Sequence, residues 1–287
     1  MKDLVIIGAG PAGISAALYT ARGNIATQIV AAGDGALARA EKIANYYGAA
    51  DNPSGAELLA RGHAQVKALG VPIERDEVVD IQWNGEHFTV AGKRQSYEAR
   101  AVLLATGASR PAPRIANLQA LEGKGVSYCA VCDGFFYRNK TVAVIGAGAY
   151  CLHEASVLAK LAQTCYVLTD GQTPELEFPE SFRVITTPIR QLDGTDRLSG
   201  VTFEDGTQIA VDGAFVAIAQ ASAADFARKI GVHCPSNAIA TDDNKMTNLP
   251  GLFAAGDCTG GLLQVCKAVS DGAIAATGIR KFLSGKL

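Results

Sequence analysis

The residues best suited to do chemistry are Cys129 and Cys132, in the run Tyr128-Cys-Ala-Val-Cys-Asp-Gly134. Two thiols at this spacing stand one helical turn apart, close enough to form a disulfide. One sulfur can then attack a partner's disulfide while the other resolves the mixed disulfide. Asp133 follows directly and is placed to exchange protons with the thiolates. Two structural readings compete: a buried cysteine pair, or half of a metal site. A zinc site asks for a second such pair, and the seven cysteines (129, 132, 151, 165, 234, 258 and 266) contain only this one, so no metal is expected. An odd count without an export signal points to reduced thiols plus one redox pair. Cys151, Cys165, Cys234, Cys258 and Cys266 lie in apolar patterns and are expected to be small buried hydrophobes.

A redox pair needs an electron source, and the next chemical signal is a glycine turn. Leu4 to Gly13 reads as a buried strand entering G-x-G-x-x-G, followed by a helical pattern from Ile14 to Arg22. Gly8, Gly10 and Gly13 supply a tight turn, a backbone that a pyrophosphate can approach, and a helix N-terminus whose free N–H groups face it. The usual acid about 20 residues further on is replaced by Ala31-Ala32-Gly33, so adenosine ribose contacts come from elsewhere, with Asp34 or backbone as candidates. Gly251-Leu-Phe-Ala-Ala-Gly-Asp257 reads as a late buried strand ending on an acid, similar to the aspartate that FAD reductases place on the ribityl chain. The plain alternative for Asp257 is a helix cap. Taken together the pattern favours FAD over NAD.

The elements that position these residues form a duplication. Val142 to Cys151 repeats the strand and glycine turn, with a helical run from Leu152 to Ala162. Later buried strands are expected at Ala101 to Ala105, before Thr106-Gly107, and at Ala214 to Ala219, before Gln220. Alternation in Phe88 to Val90 and Ser96 to Ala99, broken by Gly92, predicts an antiparallel insertion. A C-terminal helix is expected over Leu263 to Leu283. The fold class is α/β, with two Rossmann-like (three-layer ββα) domains, the second inserted into the first. The expected boundaries are 1–114 plus 242–287 for the FAD-binding domain and 115–241 for an inserted, degenerate NAD(P)H-like domain carrying the dithiol. Pro111 and Pro113 mark the outward crossing.

Composition agrees with two such domains. The chain has 287 residues, 48% apolar and 19% charged, with 31 glycines, as in a folded α/β protein. A net charge of -2 argues against a nucleic-acid partner. The first apolar stretch, Leu4 to Ile7, runs straight into the glycine turn, and no apolar run approaches membrane-spanning length. A cytoplasmic protein without a membrane partner is expected.

The glycine turn at 8–13, Ile43 to Gly48, Ala105-Thr-Gly-Ala108, Cys129 to Gly134 and Gly251 to Gln264 together resemble the low-molecular-weight thioredoxin reductases over nearly the whole chain. The resemblance implies FAD, a homodimer and thioredoxin as disulfide substrate. By position, Cys132 resembles the sulfur that faces the flavin, Cys129 the one that attacks thioredoxin, and Asp133 the acid. It also implies cofactor contacts from Gly8, Gly10, Pro11, Ala12, Gly13, Asn45, Thr106, Gly107, Gly256, Asp257, Gln264 and Val265.

The second glycine motif departs from that family. Gly146-Ala-Gly148-Ala-Tyr-Cys151 carries cysteine where glycine or alanine permits close helix packing. Tyr166-Val-Leu-Thr169 runs into Asp170-Gly171 where the family has His-Arg-Arg for a 2'-phosphate. No Lys or Arg stands between Lys160 and Arg183, a gap holding Glu175, Glu177 and Glu180. Such a site repels a dianionic 2'-phosphate. NADH is the open alternative, because Asp170 is placed to bond a 2'-hydroxyl. Against it, Ala219-Gln-Ala-Ser222 lacks the family's Gly-x-x-Pro. Tyr128 to Tyr137, Leu152-His-Glu-Ala155 and Leu168-Thr-Asp-Gly171 are similar to the ferredoxin-dependent flavin thioredoxin reductases, which implies reduced ferredoxin as the donor. Two further readings share some of these parts. A flavin dithiol oxidase would pass electrons to oxygen, and a binding-only flavoprotein would carry structural thiols.

Overall fold

The computed structural model describes the chain except for residues 109–114, 129, 219–222 and 236–237 and the side chain of Cys132. It divides into two units, Met1–Arg110 with Ser222–Leu287, and Pro111–Ala221.

The first unit begins with β1 (Lys2–Ile7), α1 (Pro11–Arg22), β2 (Thr27–Ala31), α2 (Gly55–Ala68), β3 (Ile73–Arg75), β4 (Val78–Trp83), β5 (Phe88–Gly92) and β6 (Ser96–Leu104). Its sheet runs β3-β2-β1-β6-β5-β4. β6 is one nine-residue strand where the sequence suggested two separate pieces. From Ser96 to Ala99 it pairs antiparallel with β5; from Ala99 to Leu104 it runs parallel to β1. Its burial changes with its partner: side chains alternate between exposed and buried up to Arg100, then are buried without a break. One face of the hairpin meets water, while the parallel segment is covered on both faces.

The second unit contains β7 (Val126–Ser127), α3 (Ala130–Asp133), β8 (Thr141–Ile145), α4 (Ala149–Leu158), β9 (Thr164–Leu168), β10 (Arg183–Ile185), β11 (Ile189–Asp193), β12 (Gly200–Phe203), β13 (Gln208–Ala210) and β14 (Gly213–Val216). A parallel sheet runs β10-β9-β8-β14-β7, beside a three-stranded antiparallel sheet β11-β12-β13. α4 ends at Leu158 rather than Ala162, and of the expected strand at 214–219 the part from 219 on lies outside the described residues.

The chain rejoins the first unit at Ser222, not at 242 as the sequence suggested. The reason is α5 (Ala223–Lys229), whose Ala223, Ala224, Phe226 and Ala227 are buried and which packs on β4. β15 (Leu252–Ala254) then lies parallel to the second half of β6, and α6 (Val265–Leu283) closes the fold. Gly272 of α6 allows close contact with α1, because a Cβ there would stand 2.2 Å from the Ala12 carbonyl oxygen. Ser15 Oγ donates across the same interface to the Val269 carbonyl at 2.7 Å. The turn before α6 is thereby held beside the turn before α1. No helix among the described residues is long and apolar enough to cross a membrane.

Candidate active site

In the first glycine turn each glycine has a separate physical duty. A Cβ on Gly8 (φ +114°) would lie 2.3 Å from the Ala105 carbonyl oxygen, and one on Gly13 would lie 2.0 Å from the Gly8 oxygen. Both positions are closed by backbone. Gly10, the N-cap of α1, has nothing within 4 Å of where its Cβ would be. Pro11 starts the helix, where its missing N–H costs nothing. No side chain caps α1 and no acid stands in its first turn. α2, by contrast, closes its own N-terminus with a Ser54–Glu57 capping box. The open cradle at Gly10 and the uncapped helix fit a pyrophosphate. His63 Nε2 lies 3.0 Å from the Ala9 carbonyl and steadies the turn from α2, a contact invisible to local sequence reading.

Asn45 and Gln264 are 219 residues apart, yet Asn45 Nδ2 donates to Gln264 Oε1 at 2.8 Å. The Asn45 loop is tied at its base by Ile43 N–H to the Pro53 carbonyl (2.9 Å) and Gly55 N–H to the Ala40 carbonyl (2.8 Å). Gln264 is the N-cap of α6 and Val265 its first residue. Thr106 is exposed, and its hydroxyl oxygen accepts from Ala223 N–H at 3.1 Å, so it tethers the start of α5. Gly107 (φ +82°) opens on free space.

Gly256 (φ +83°) packs against Ala12 and leads into a single 3-10 turn, Asp257–Thr259. Burial holds the Asp257 carboxyl above its ordinary range, against the pull of nearby Lys267. A cluster missed in the sequence holds this turn. Lys267 Nζ donates to the Gly256 carbonyl (2.7 Å), the Gly260 carbonyl (2.8 Å) and Thr259 Oγ1 (2.9 Å), and pairs with Asp271 Oδ2 at 2.8 Å. Lys245 Nζ lies 2.7 Å from Asp271 Oδ1, and Gly256 N–H donates to Asp271 Oδ2 at 3.2 Å. Burial alone would raise the Asp271 pKa, but the hydrogen bonds and charges of the two lysines outweigh it and the net shift is downward. The ordered charges therefore stabilise the fold above the ordinary value of 3.8, and that contribution is lost as pH falls through the lower folded-state value. Asp271→Asn is expected to lose about 2–4 kcal/mol in urea unfolding at pH 7, since it leaves two lysines around one neutral group. The difference from wild type should shrink below pH 3.8. A difference that stayed constant down to pH 3 would show that charge pairing is not the cause.

In the second unit, Cys129 and the Cys132 side chain lie outside the described residues, but their frame is defined. Cys132 is on α3, and Ser127 Oγ donates to Asp133 Oδ2 at 2.6 Å. The N–H of Ala130 donates to Glu154 Oε2 at 2.8 Å; Glu154 is 1% exposed. This buried acid from α4 caps the short helix that carries Cys132, a role the sequence did not disclose. Val131, Phe135 and Phe136 around it are exposed.

The second glycine turn repeats the first only in outline. A Cβ on Gly146 would meet the Ala217 oxygen at 2.2 Å, and Cys151 fills the place behind the turn, fully buried. Asp170, the candidate for a ribose hydroxyl, has a positive φ of 50° and its Oδ1 accepts from Ile189 N–H at 2.7 Å. Burial pushes the Cys151 thiol well up and those of Cys165 and Cys258 up to about 12. Cys234 is only half-buried and Cys266 is exposed. Cys266 corrects the expectation of burial, because it sits on the water-facing side of the first turn of α6.

The model of the pyridine nucleotide-disulphide oxidoreductase family matches residues 2–272. Thioredoxin reductase of Peptoclostridium acidaminophilum is 35% identical over 98% of this chain and 96% of its own. The chain belongs to the low-molecular-weight thioredoxin reductase family. The family's members are FAD-binding flavoproteins. Among solved structures, the atypical thioredoxin reductase TRi of Desulfovibrio vulgaris Hildenborough is 38% identical, with a TM-score of 0.93 over 100% of this chain and 99% of the other. A ferredoxin-flavin thioredoxin reductase of Clostridium acetobutylicum is 29% identical, with a TM-score of 0.74 over 99% and 98%. Family membership accounts for both glycine turns.

Proposed function

We propose that this protein is a thioredoxin reductase that takes its electrons from reduced ferredoxin instead of a nicotinamide held in its own second unit. One observation carries the reading. Asp170, the acid placed to recognise a ribose, spends its Oδ1 on the Ile189 N–H, in a segment from 161 to 182 without any Lys or Arg. FAD, when bound, supplies the exchange between one-electron donors and two-electron disulfide chemistry. Gly8, Gly10 and Gly13 with the N-terminus of α1 would hold its pyrophosphate, Asp257 its ribityl chain, and Asn45 and Gln264 its ring.

The chain's own residues do the rest. The Cys129 thiolate attacks one sulfur of thioredoxin's disulfide, forming a mixed disulfide and expelling the second thioredoxin sulfur as a thiolate, which takes a proton. Cys132 then displaces the first thioredoxin sulfur, closing the Cys129–Cys132 disulfide and releasing dithiol thioredoxin. Asp133, oriented by Ser127, gives and receives the protons of these thiolates. Plant-type ferredoxins lie near about -400 mV and thioredoxin near about -270 mV, so a transferred pair falls by about 130 mV, or about 6 kcal/mol. The working protein is a homodimer in this reading.

The test is anaerobic mixing of the oxidised holoprotein with reduced ferredoxin, NADPH or NADH, following flavin absorbance and thioredoxin thiols. Ferredoxin should bleach the flavin and release thiols, and the nucleotides should do neither. Rapid bleaching by NADPH would overturn the choice of donor.

A further inference from the structure

The two glycine turns share one pattern but face different surroundings, and the difference can be assigned to a residue. At Gly10 nothing lies within 4 Å of a Cβ position. At Gly148, the corresponding glycine and the N-cap of α4, the same position is occupied from outside: Glu175 Oε2 would be 2.8 Å from that Cβ, its Cδ 3.3 Å and Oε1 3.6 Å. The second glycine of such a turn is where the backbone lets a pyrophosphate approach. Here a carboxylate of the chain itself lies on that spot. The placement does not depend on the side chain alone, since Glu175 N–H donates to the Ala147 carbonyl at 2.9 Å and fastens the 171–182 segment onto the turn. α4 has no side-chain cap and no acid in its own first turn, so the charge facing its N-terminus comes from Glu175.

We propose that Glu175 is the specificity-determining residue that keeps dinucleotides out of the second unit, its carboxylate standing where the pyrophosphate would bind. This rests on the reading that no nicotinamide donor binds there, and it goes further by naming the obstacle. The obstacle has two components. A fixed negative charge repels a dianion a few ångströms away, and the side chain fills volume that the phosphates need. The three heavy atoms nearest the Gly148 position all belong to Glu175, and Glu177 and Glu180, on the same segment, serve as internal controls.

The experiment is calorimetric titration of the FAD-loaded protein with ADP-ribose, which carries the pyrophosphate but neither a 2'-phosphate nor a nicotinamide, and with adenosine, which carries no phosphate. Glu175 is exposed, so Glu175→Ala and the near-isosteric Glu175→Gln should fold as the wild type does. Wild type and Glu177→Gln should bind ADP-ribose no tighter than millimolar. Glu175→Ala should bind it about tenfold to a hundredfold tighter, and Glu175→Gln, which removes charge but keeps volume, should gain less. Adenosine should not distinguish the four. An ADP-ribose affinity of Glu175→Ala within twofold of wild type overturns the role of Glu175 and leaves the choice of donor standing. Micromolar binding by wild type overturns that choice as well.

Discussion

Cys129→Ser and Cys132→Ser proteins are each expected to reduce thioredoxin at least about a thousandfold more slowly than wild type, because each leaves half of a two-sulfur cycle. The losses should differ in kind. With Cys132→Ser, chemically reduced protein still presents the attacking thiolate, so acid quenching during reaction with oxidised thioredoxin should trap a mixed disulfide that no second sulfur resolves. With Cys129→Ser, no adduct should be trapped. Mass spectrometry of the quenched mixtures separates the two, and adducts on the Cys129→Ser protein would reverse the assigned roles. Neither substitution should change the fold, because serine replaces cysteine with little change in volume and the dithiol helix is held by other groups: the Glu154 carboxylate on Ala130 N–H and Ser127 on Asp133. Equal urea midpoints for the three reduced proteins check this. The three buried thiols should not substitute. Cys151, Cys165 and Cys258 are buried with pKa values raised by desolvation, which leaves almost no thiolate at neutral pH.

What the sequence disclosed and what it hid follow from where the information lies. The strand and glycine turn at 4–13 and its repeat at 142–151 are local patterns, and both became a parallel strand, a tight turn and a helix. The sequence of β6 reads as two pieces because its period changes midway, from alternation beside β5 to continuous burial between β1 and β15. α5 leaves no clear signal in the sequence: at seven residues it is too short for a convincing period, and its allegiance to β4 is set by a tertiary contact. The Lys245–Asp271–Lys267 cluster was hidden for a related reason. In the sequence Asp271 is one polar residue in an amphipathic helix, and only the approach of Lys245 from the strand side makes it a buried ion. Glu175 was legible as one of three acids in a segment without cations, but not as the one lying on Gly148. Residue types reveal which charges are present; the fold decides which of them meet.

The glycines of the first turn give a sharp separation of cofactor binding from folding. Gly10→Ala adds a methyl group to space that the protein leaves empty, so it should change the stability of the apoprotein by no more than about 0.5 kcal/mol. The same methyl stands where a pyrophosphate must approach the backbone, and the purified protein should be nearly colourless, with FAD affinity lowered at least about a hundredfold, or about 2.7 kcal/mol. Gly13→Ala must behave oppositely in the apoprotein. Its Cβ would stand 2.0 Å from the Gly8 oxygen, a contact that only a shift of α1 away from β1 relieves. That shift disturbs the packing of Ala12 under Gly256 and of α1 against Gly272, so a loss of about 3 kcal/mol or more is expected even without cofactor. Thermal unfolding of the apo forms and fluorescence titration with FAD measure the two effects independently. A yellow Gly10→Ala protein with wild-type FAD affinity would remove this turn from the cofactor site, whatever the dithiol does. The opposite result would make the empty space at Gly10 and the filled space at Gly148 the physical difference between a turn that holds a dinucleotide and one that has ceased to.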